Sequence, residues 1–183
     1  AALAAALAFS EKVGAIIEQN ELGEVVQVGL NGPKITDAGL VHLKGLTGLR
    51  ELFLGLTRIT DAGLVHLKGL AQLQTLSLGG TRITDAGLAH LKGLTKLEDL
   101  RLHSTQITDA GLEHLTGFTS IQMLDFHRTR ITDTGLEHLK GLIKLDWLDL
   151  NSTQITDAGL ELERHIDAVT TVLNSDIRST QTA

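Results

Sequence analysis

The sequence predicts an α/β solenoid, a stack of like turns in which each turn is one short strand followed by one short helix. Three observations carry that expectation. Ile-Thr-Asp begins at residues 35, 59, 83, 107, 131 and 155, a constant step of 24. A fixed period in the twenties marks a repeat architecture in which each unit stacks only on its neighbours. Apolar residues two apart recur at Leu52/Leu54, Leu76/Leu78, Leu100/Leu102, Leu124/Phe126 and Leu148/Leu150, as one face of a short strand requires. Behind each isoleucine come leucines three apart (Leu64, Leu67, Leu70 and their copies), which reads as helix.

Composition narrows the function classes. The 183 residues suffice for a sizeable core, and with 42% apolar but only 3% aromatic residues, leucine and isoleucine must build it. A formal charge of −6 argues against nucleic acid, which calls for a basic stripe. The absence of cysteine removes disulfides, thiolate metal sites and thiol nucleophiles, and leaves the compartment open.

Along the chain, "AALAAALAF" (1–9) is an uncharged run too short to span a bilayer. It reads as an alanine-rich helix over a core edge; Ala6-Leu7-Ala8 also matches the end of a signal peptide, without the basic region that normally precedes one. Because the chain starts at Ala1, an upstream segment is expected. "AIIEQNELGEVVQV" (15–28) reads as a hairpin turning near Asn20–Gly23, so residues 1–24 are expected to cap the stack and 25–157 to form six turns. In each turn Thr60, Asp61 or their copies are placed to cap a helix, and Gly69 and its copies to end it. At the far end Glu163 breaks a leucine column. Leu162, Ile166, Val169 and Leu173 then recur at helical spacing, giving a capping helix and tail over 158–183. The alternative is a decayed seventh turn, with Ile166, Val169 and Val172 in register.

"LEDLRLHSTQITDAGLEHLTGF" (97–118) carries a resemblance. It fits the leucine-rich repeat pattern, and with threonine ahead of "ITDAGLxHLKGL" the chain resembles the 24-residue repeats of bacterial, notably planctomycete, proteins. It is also similar to the repeats of ribonuclease inhibitor and F-box proteins. The resemblance covers roughly 25–160 and implies a right-handed horseshoe, with a parallel β-sheet on the concave face and short helices on the convex one. It further implies that Thr57, Thr81, Thr105, Thr129 and Thr153 bond backbone in the neighbouring turn, which Pro33 in the first turn cannot do. For function it implies a binding scaffold rather than an enzyme.

Repetition itself separates frame from function. Asp85, His90 and Lys92 look like a catalytic set, yet "TRITDAGLAHLKGL" (81–94) stands almost unchanged at 57–70 and 129–142, so it belongs to the frame. His42, His66, His90, His114 and His138 form a further column, read either as a helix-surface residue copied by duplication or as a pH- or metal-sensitive ladder. Protonating five such imidazoles is expected to cost stability below about pH 6.

Function is expected where the turns differ. Residues flanking the strand leucines face the concave side in four columns. The first runs Gln27, Glu51, Thr75, Asp99, Met123, Trp147, and the second Gly29, Phe53, Ser77, Arg101, Asp125, Asp149. The third runs Asn31, Gly55, Gly79, His103, His127, Asn151, and the fourth Gly32, Leu56, Gly80, Ser104, Arg128, Ser152. A protein or peptide partner is expected there, with Trp147 and Met123 as anchors and Arg101, Asp125 and Asp149 setting orientation. His127, Arg128, Asp99 and Phe53 complete the expected contact set. No catalytic residue, cofactor, nucleic acid or membrane is expected, and a monomer is favoured. Two alternatives stand beside this reading: a divalent-metal site at His103, His127, Asp125 and Asp149, and a spacer or self-associating piece of a longer protein. "GLNGPK" (29–34) is not a phosphate loop, there is no G-x-S-x-G elbow, and a sugar on the Asn151-Ser152-Thr153 sequon would crowd the concave face.

Overall fold

A computed structural model describes Ala8 and residues 12–159 and 170–172. Strands β1 (Ile16–Gln19) and β2 (Val25–Gly29) form an antiparallel hairpin around Asn20, whose side chain accepts from the N–H groups of Leu22 and Glu24. From β2 the sheet continues parallel through β3 (Glu51–Phe53), β4 (Thr75–Ser77), β5 (Asp99–Arg101), β6 (Met123–Asp125) and β7 (Trp147–Asp149). The register is the 24-residue period itself: Leu52, Leu76, Leu100, Leu124 and Leu148 lie side by side.

Opposite the sheet lie α1 (Asp37–Leu40), α2 (Asp61–Leu64), α3 (Asp85–Leu88) and α4 (Asp109–Leu112), one turn of helix each. Each tightens into a 3-10 turn over the next three residues, and in the fifth turn Asp133–Leu139 is 3-10 throughout. Between sheet and helices, all seven apolar columns are buried. Leu49, Leu52, Leu54, Ile59, Leu64, Leu67 and Leu70 of the second turn are at most 1% exposed. At about 1.5–3 kcal/mol per side chain this is a large gross gain that a lone turn cannot realise. Each turn needs its neighbours.

Three expectations about the frame are corrected. The ladder threonines do not reach the next turn. Thr57, Thr81, Thr105 and Thr129, all buried, donate their hydroxyls to the carbonyls of Leu54, Leu78, Leu102 and Phe126 within their own turn at 2.5–2.8 Å. The residue before each is left-handed (φ about +57 at Leu56), and this sharp bend brings the carbonyl three residues back within reach. Nor do Thr60 and Asp61 chiefly cap their own helix. Thr60 alone receives a cap bond, a long 3.4 Å contact from Ala62 N–H.

The carboxylates bond across turns instead. Asp37 accepts from both the N–H and the hydroxyl of Thr60, and Asp61, Asp85, Asp109 and Asp133 do the same with Thr84, Thr108, Thr132 and Thr156, all at 2.5–2.8 Å. Gly63, Gly87, Gly111, Gly135 and Gly159 leave the room for this, since a Cβ on any of them would overlap the aspartate of the turn before. "TDAG" is thus an inter-turn clasp. Finally, of Gly45 and its copies Gly69, Gly93, Gly117 and Gly141, Gly45 alone takes the left-handed φ expected of a helix stop (+97). Elsewhere the chain stays right-handed past the helix, as at Lys68 with φ −53 and ψ −29.

At the C-terminal end, the helix expected over 158–183 falls mostly outside the described residues. Where residues 170–172 are described they form a strand, β8 (Thr170–Val172), parallel to β7. Trp147 pairs with Thr170, an offset of 23 where Met123 to Trp147 is 24, so Thr171 and not Val172 stands beside Leu148, one residue out of the register that the seventh-turn alternative gives. The alanine-rich helix expected at 1–9 also lies outside the described residues, apart from Ala8.

Candidate functional site: the concave face

Strands β3 to β7 have three residues each, and the central leucine of each faces the core. Its two neighbours therefore point to the open face, where they are half-buried in every strand from β3 to β7. The pairing sets Asp99, Met123 and Trp147 in one row and Arg101, Asp125 and Asp149 in the next, so the expected anchors and orienting charges are immediate neighbours. Phe53 lies in the second row but two strands away from Arg101.

The charged groups are used within strands more than between them. Arg101 Nη2 donates to Asp99 Oδ2 at 2.7 Å, and its Nε donates to both oxygens at 3.2 Å. That bonding holds the guanidinium above its ordinary pKa, against the opposing effect of burial. Asp125 and Asp149 each accept from the backbone N–H two residues on, His127 at 3.0 Å and Asn151 at 2.8 Å. Burial pushes Asp125 above the usual carboxylate range; the His127 N–H and the nearby His103 work against that, and Asp149 alongside adds to it.

His103 does not turn toward His127. Its imidazole lies over Gly79 of the preceding turn, in space that any larger residue there would fill. This arrangement does not favour the metal alternative: His103 lies over turn three, while Asp125 and Asp149 accept from the backbone of turns five and six. Among the described residues no group of three or more His, Asp or Glu side chains is placed to hold a metal ion. The convex histidines His42, His66, His90, His114 and His138 are half-buried against the helices, and His114 Nδ1 is buried without a hydrogen-bond partner.

The fourth column has a backbone reason for its composition. Gly32, Leu56, Gly80, Ser104, Arg128 and Ser152 all have positive φ, so glycine and small polar residues are favoured there. Arg128 is exposed at this bend. Leu56 was missing from the expected contact set and stands out in the structure. It adopts φ +57, is 71% exposed, and reaches over Gly80, in the same turn as the half-buried Phe53. The signal in the sequence was a leucine in a column otherwise held by glycine, serine and one arginine.

Comparisons with known proteins agree with this geometry. Models described as leucine-rich repeats match residues 71–117 and 144–162. No curated protein matches the chain. Among solved structures, an internalin of Listeria monocytogenes is similar at 28% identity with a TM-score of 0.62 over 73% of this chain and 37% of its own. Internalin C2 of the same organism is similar in fold at 21% identity and a TM-score of 0.54, over 93% of this chain and 92% of its own. A leucine-rich repeat protein of Leptospira interrogans is similar in fold at 22% identity and a TM-score of 0.57, over 73% of this chain and 33% of its own. The chain thus spans about a third of the length of two of these three proteins. With family matches in two stretches, solved relatives of one architecture and seven buried apolar columns per turn, the chain is a leucine-rich repeat protein.

Proposed function

We propose that this chain is a non-catalytic scaffold that binds a protein or peptide on its concave face. Leucine-rich repeat folds are in general protein-binding scaffolds, and that is the coarser statement on which the proposal rests. The observation that carries it is the pairing of Met123 with Trp147 beside Asp125 and Asp149. This sets the chain's single methionine and single tryptophan next to two carboxylates on a half-open sheet. Tryptophan and arginine are frequent interface anchors, and Asp99, Arg101, His127 and Arg128 lie around the same patch. Phe53 and the exposed Leu56 of the same turn offer a second and smaller apolar contact. No nucleic acid, membrane or cofactor enters this reading, and the chain acts as a monomer. Among the described residues no helix is long and apolar enough to cross a membrane.

The test compares the intact chain with a Trp147→Ala, Met123→Ala, Arg101→Ala triple variant and with a convex control, Lys68→Ala, Lys92→Ala. Each is immobilised and challenged with lysate of the cells the sequence comes from, after circular dichroism has shown all three folded. A protein kept by the parent and the convex control but lost from the triple variant, and then bound directly by the purified parent, supports the concave face. Equal retention by all three moves the site elsewhere.

A further inference from the structure

We propose that the first turn carries an open carboxylate socket, made by the backbone N–H and the hydroxyl of Thr36. The inter-turn clasp has a direction, because the aspartate of one turn accepts from the threonine of the next. The stack therefore begins in a threonine with no aspartate 23 residues before it, and Thr36 holds that place; at the other end Asp157 stands 23 residues before Thr180, which lies outside the described residues. Thr36 and Asp157 are exposed, and among the described residues nothing accepts from Thr36 and nothing donates to Asp157.

The socket is already formed. Thr36 has φ −133 and ψ 174, against −120 and −179 at Thr60 and −125 and −176 at Thr108, which are filled. In the 24-residue count the missing aspartate falls at Val13 (37 − 24), whose side chain has no acceptor. Val13, Thr36 and Gly39 line one cleft of about 320 Å³, with Lys12, Lys34 and His42 at its walls. Two ammonium groups there favour an anion. What points to a ligand is the five filled copies, each holding one carboxylate by the same two donors, and not the single helical turn that follows Thr36. In each copy Oδ1 takes the amide and Oδ2 the hydroxyl, so the ligand is a planar carboxylate that meets both donors at once. It comes either from a free or peptide-borne acid or from Asp157 of a second copy, which would continue the ladder head to tail.

The experiment titrates the full ¹⁵N-labelled chain with sodium acetate at constant ionic strength and follows the amide of Thr36. The expected result is a saturable downfield shift at Thr36 with Thr60 and Thr84 unmoved. Thr36→Val keeps the amide but loses the hydroxyl, and should weaken acetate about tenfold. A Thr36 response no larger than that of Thr60, or unchanged affinity in Thr36→Val, overturns the proposal. Dilution of acetate-free protein separates the two sources. A concentration-dependent Thr36 shift abolished by Asp157→Asn identifies a second copy, and a concentration-independent amide that acetate still moves identifies a carboxylate from elsewhere.

Discussion

The convex and concave faces of this molecule spend their polar groups in opposite ways. On the convex face every aspartate from Asp37 to Asp133 is bound by the next turn, through the same two bonds each time. On the concave face Arg101 turns to Asp99 in its own strand, and Asp125 and Asp149 bond backbone two residues away. The first arrangement links turns and therefore has to be identical in all of them. The second links nothing between turns, so each turn is free to differ. Identity across turns thus marks groups that hold the stack, and divergence marks groups that the stack does not use.

The sharpest way to break the comparison is to fill the room that the clasp needs. In Gly111→Ala the new methyl would overlap Asp85 Oδ1 and approach Ile107 Cγ2 to 3.1 Å. Overpacking and loss of two charge-assisted bonds outweigh the gain in helix propensity, for a net loss of about 3 kcal/mol. Thermal melting should fall by roughly 6–12 °C. Gly117→Ala, with nothing within 4 Å of the added carbon, is the control and should leave the midpoint in place. Equal effects at the two glycines would mean that the clasp is not what constrains Gly111.

A milder change tests the bonds alone. Asp85→Asn keeps one acceptor for the Thr108 N–H and loses the charge and one oxygen that the Thr108 hydroxyl uses, for a cost of about 1–2 kcal/mol. A double-mutant cycle with Thr108→Val should show coupling of about 1 kcal/mol. Additive single effects would show the clasp to be geometry without energy. In the fifth turn Thr134 adds a third bond to Asp109 at 2.7 Å. Burial would raise this carboxyl, but the bonds from Thr132 and Thr134 outweigh it and hold Asp109 below its ordinary range, with nearby His138 adding to the effect. Its contribution is present above the unfolded value near 3.9 and is lost as pH falls through the folded one.

On the concave side the predicted effect has the opposite sign. Leu56 sits at φ +57, where a residue with a Cβ costs about 1–2 kcal/mol. Leu56→Gly removes that strain and adds freedom to the unfolded chain, so a gain of about 0.5 kcal/mol is expected in urea unfolding. A loss would mean that the exposed leucine earns its place by packing over Gly80.

The fold was legible because its signal is a period. Seven apolar columns at a step of 24 define strand, helix and core together, and all seven are buried. The clasp was hidden by a sufficient local explanation. Thr and Asp ahead of a helix are ordinary capping residues, so the pattern carries no separate mark of a partner 23 positions on. The last strand was hidden by a change of period, since Thr170 pairs at an offset of 23 and no leucine marks it. For the candidate site, alternation separates the two half-buried strand rows from the buried leucines between them. It could not place His103 over Gly79 or Arg101 against Asp99, because those are rotamer choices among neighbours rather than consequences of a pattern.

The smallest expected effect asks whether the concave carboxylates carry a stability cost. Asp125 is held above the usual range chiefly by burial, with Asp149 beside it, while His103, His127 and the His127 N–H pull the other way. A folded value above the unfolded one means that ionising this group disfavours the folded state. The penalty is absent below the unfolded value near 3.9 and complete above the folded one. Asp125→Asn does not ionise, and its amide oxygen can still accept from the His127 N–H. The variant should therefore be more stable than the parent at pH 7 by about 0.5 kcal/mol or less, with the difference vanishing as pH approaches 4. Should the variant be less stable at pH 7, the attraction of the two histidines outweighs burial, and Asp125 belongs to the frame rather than to a face kept open for a partner.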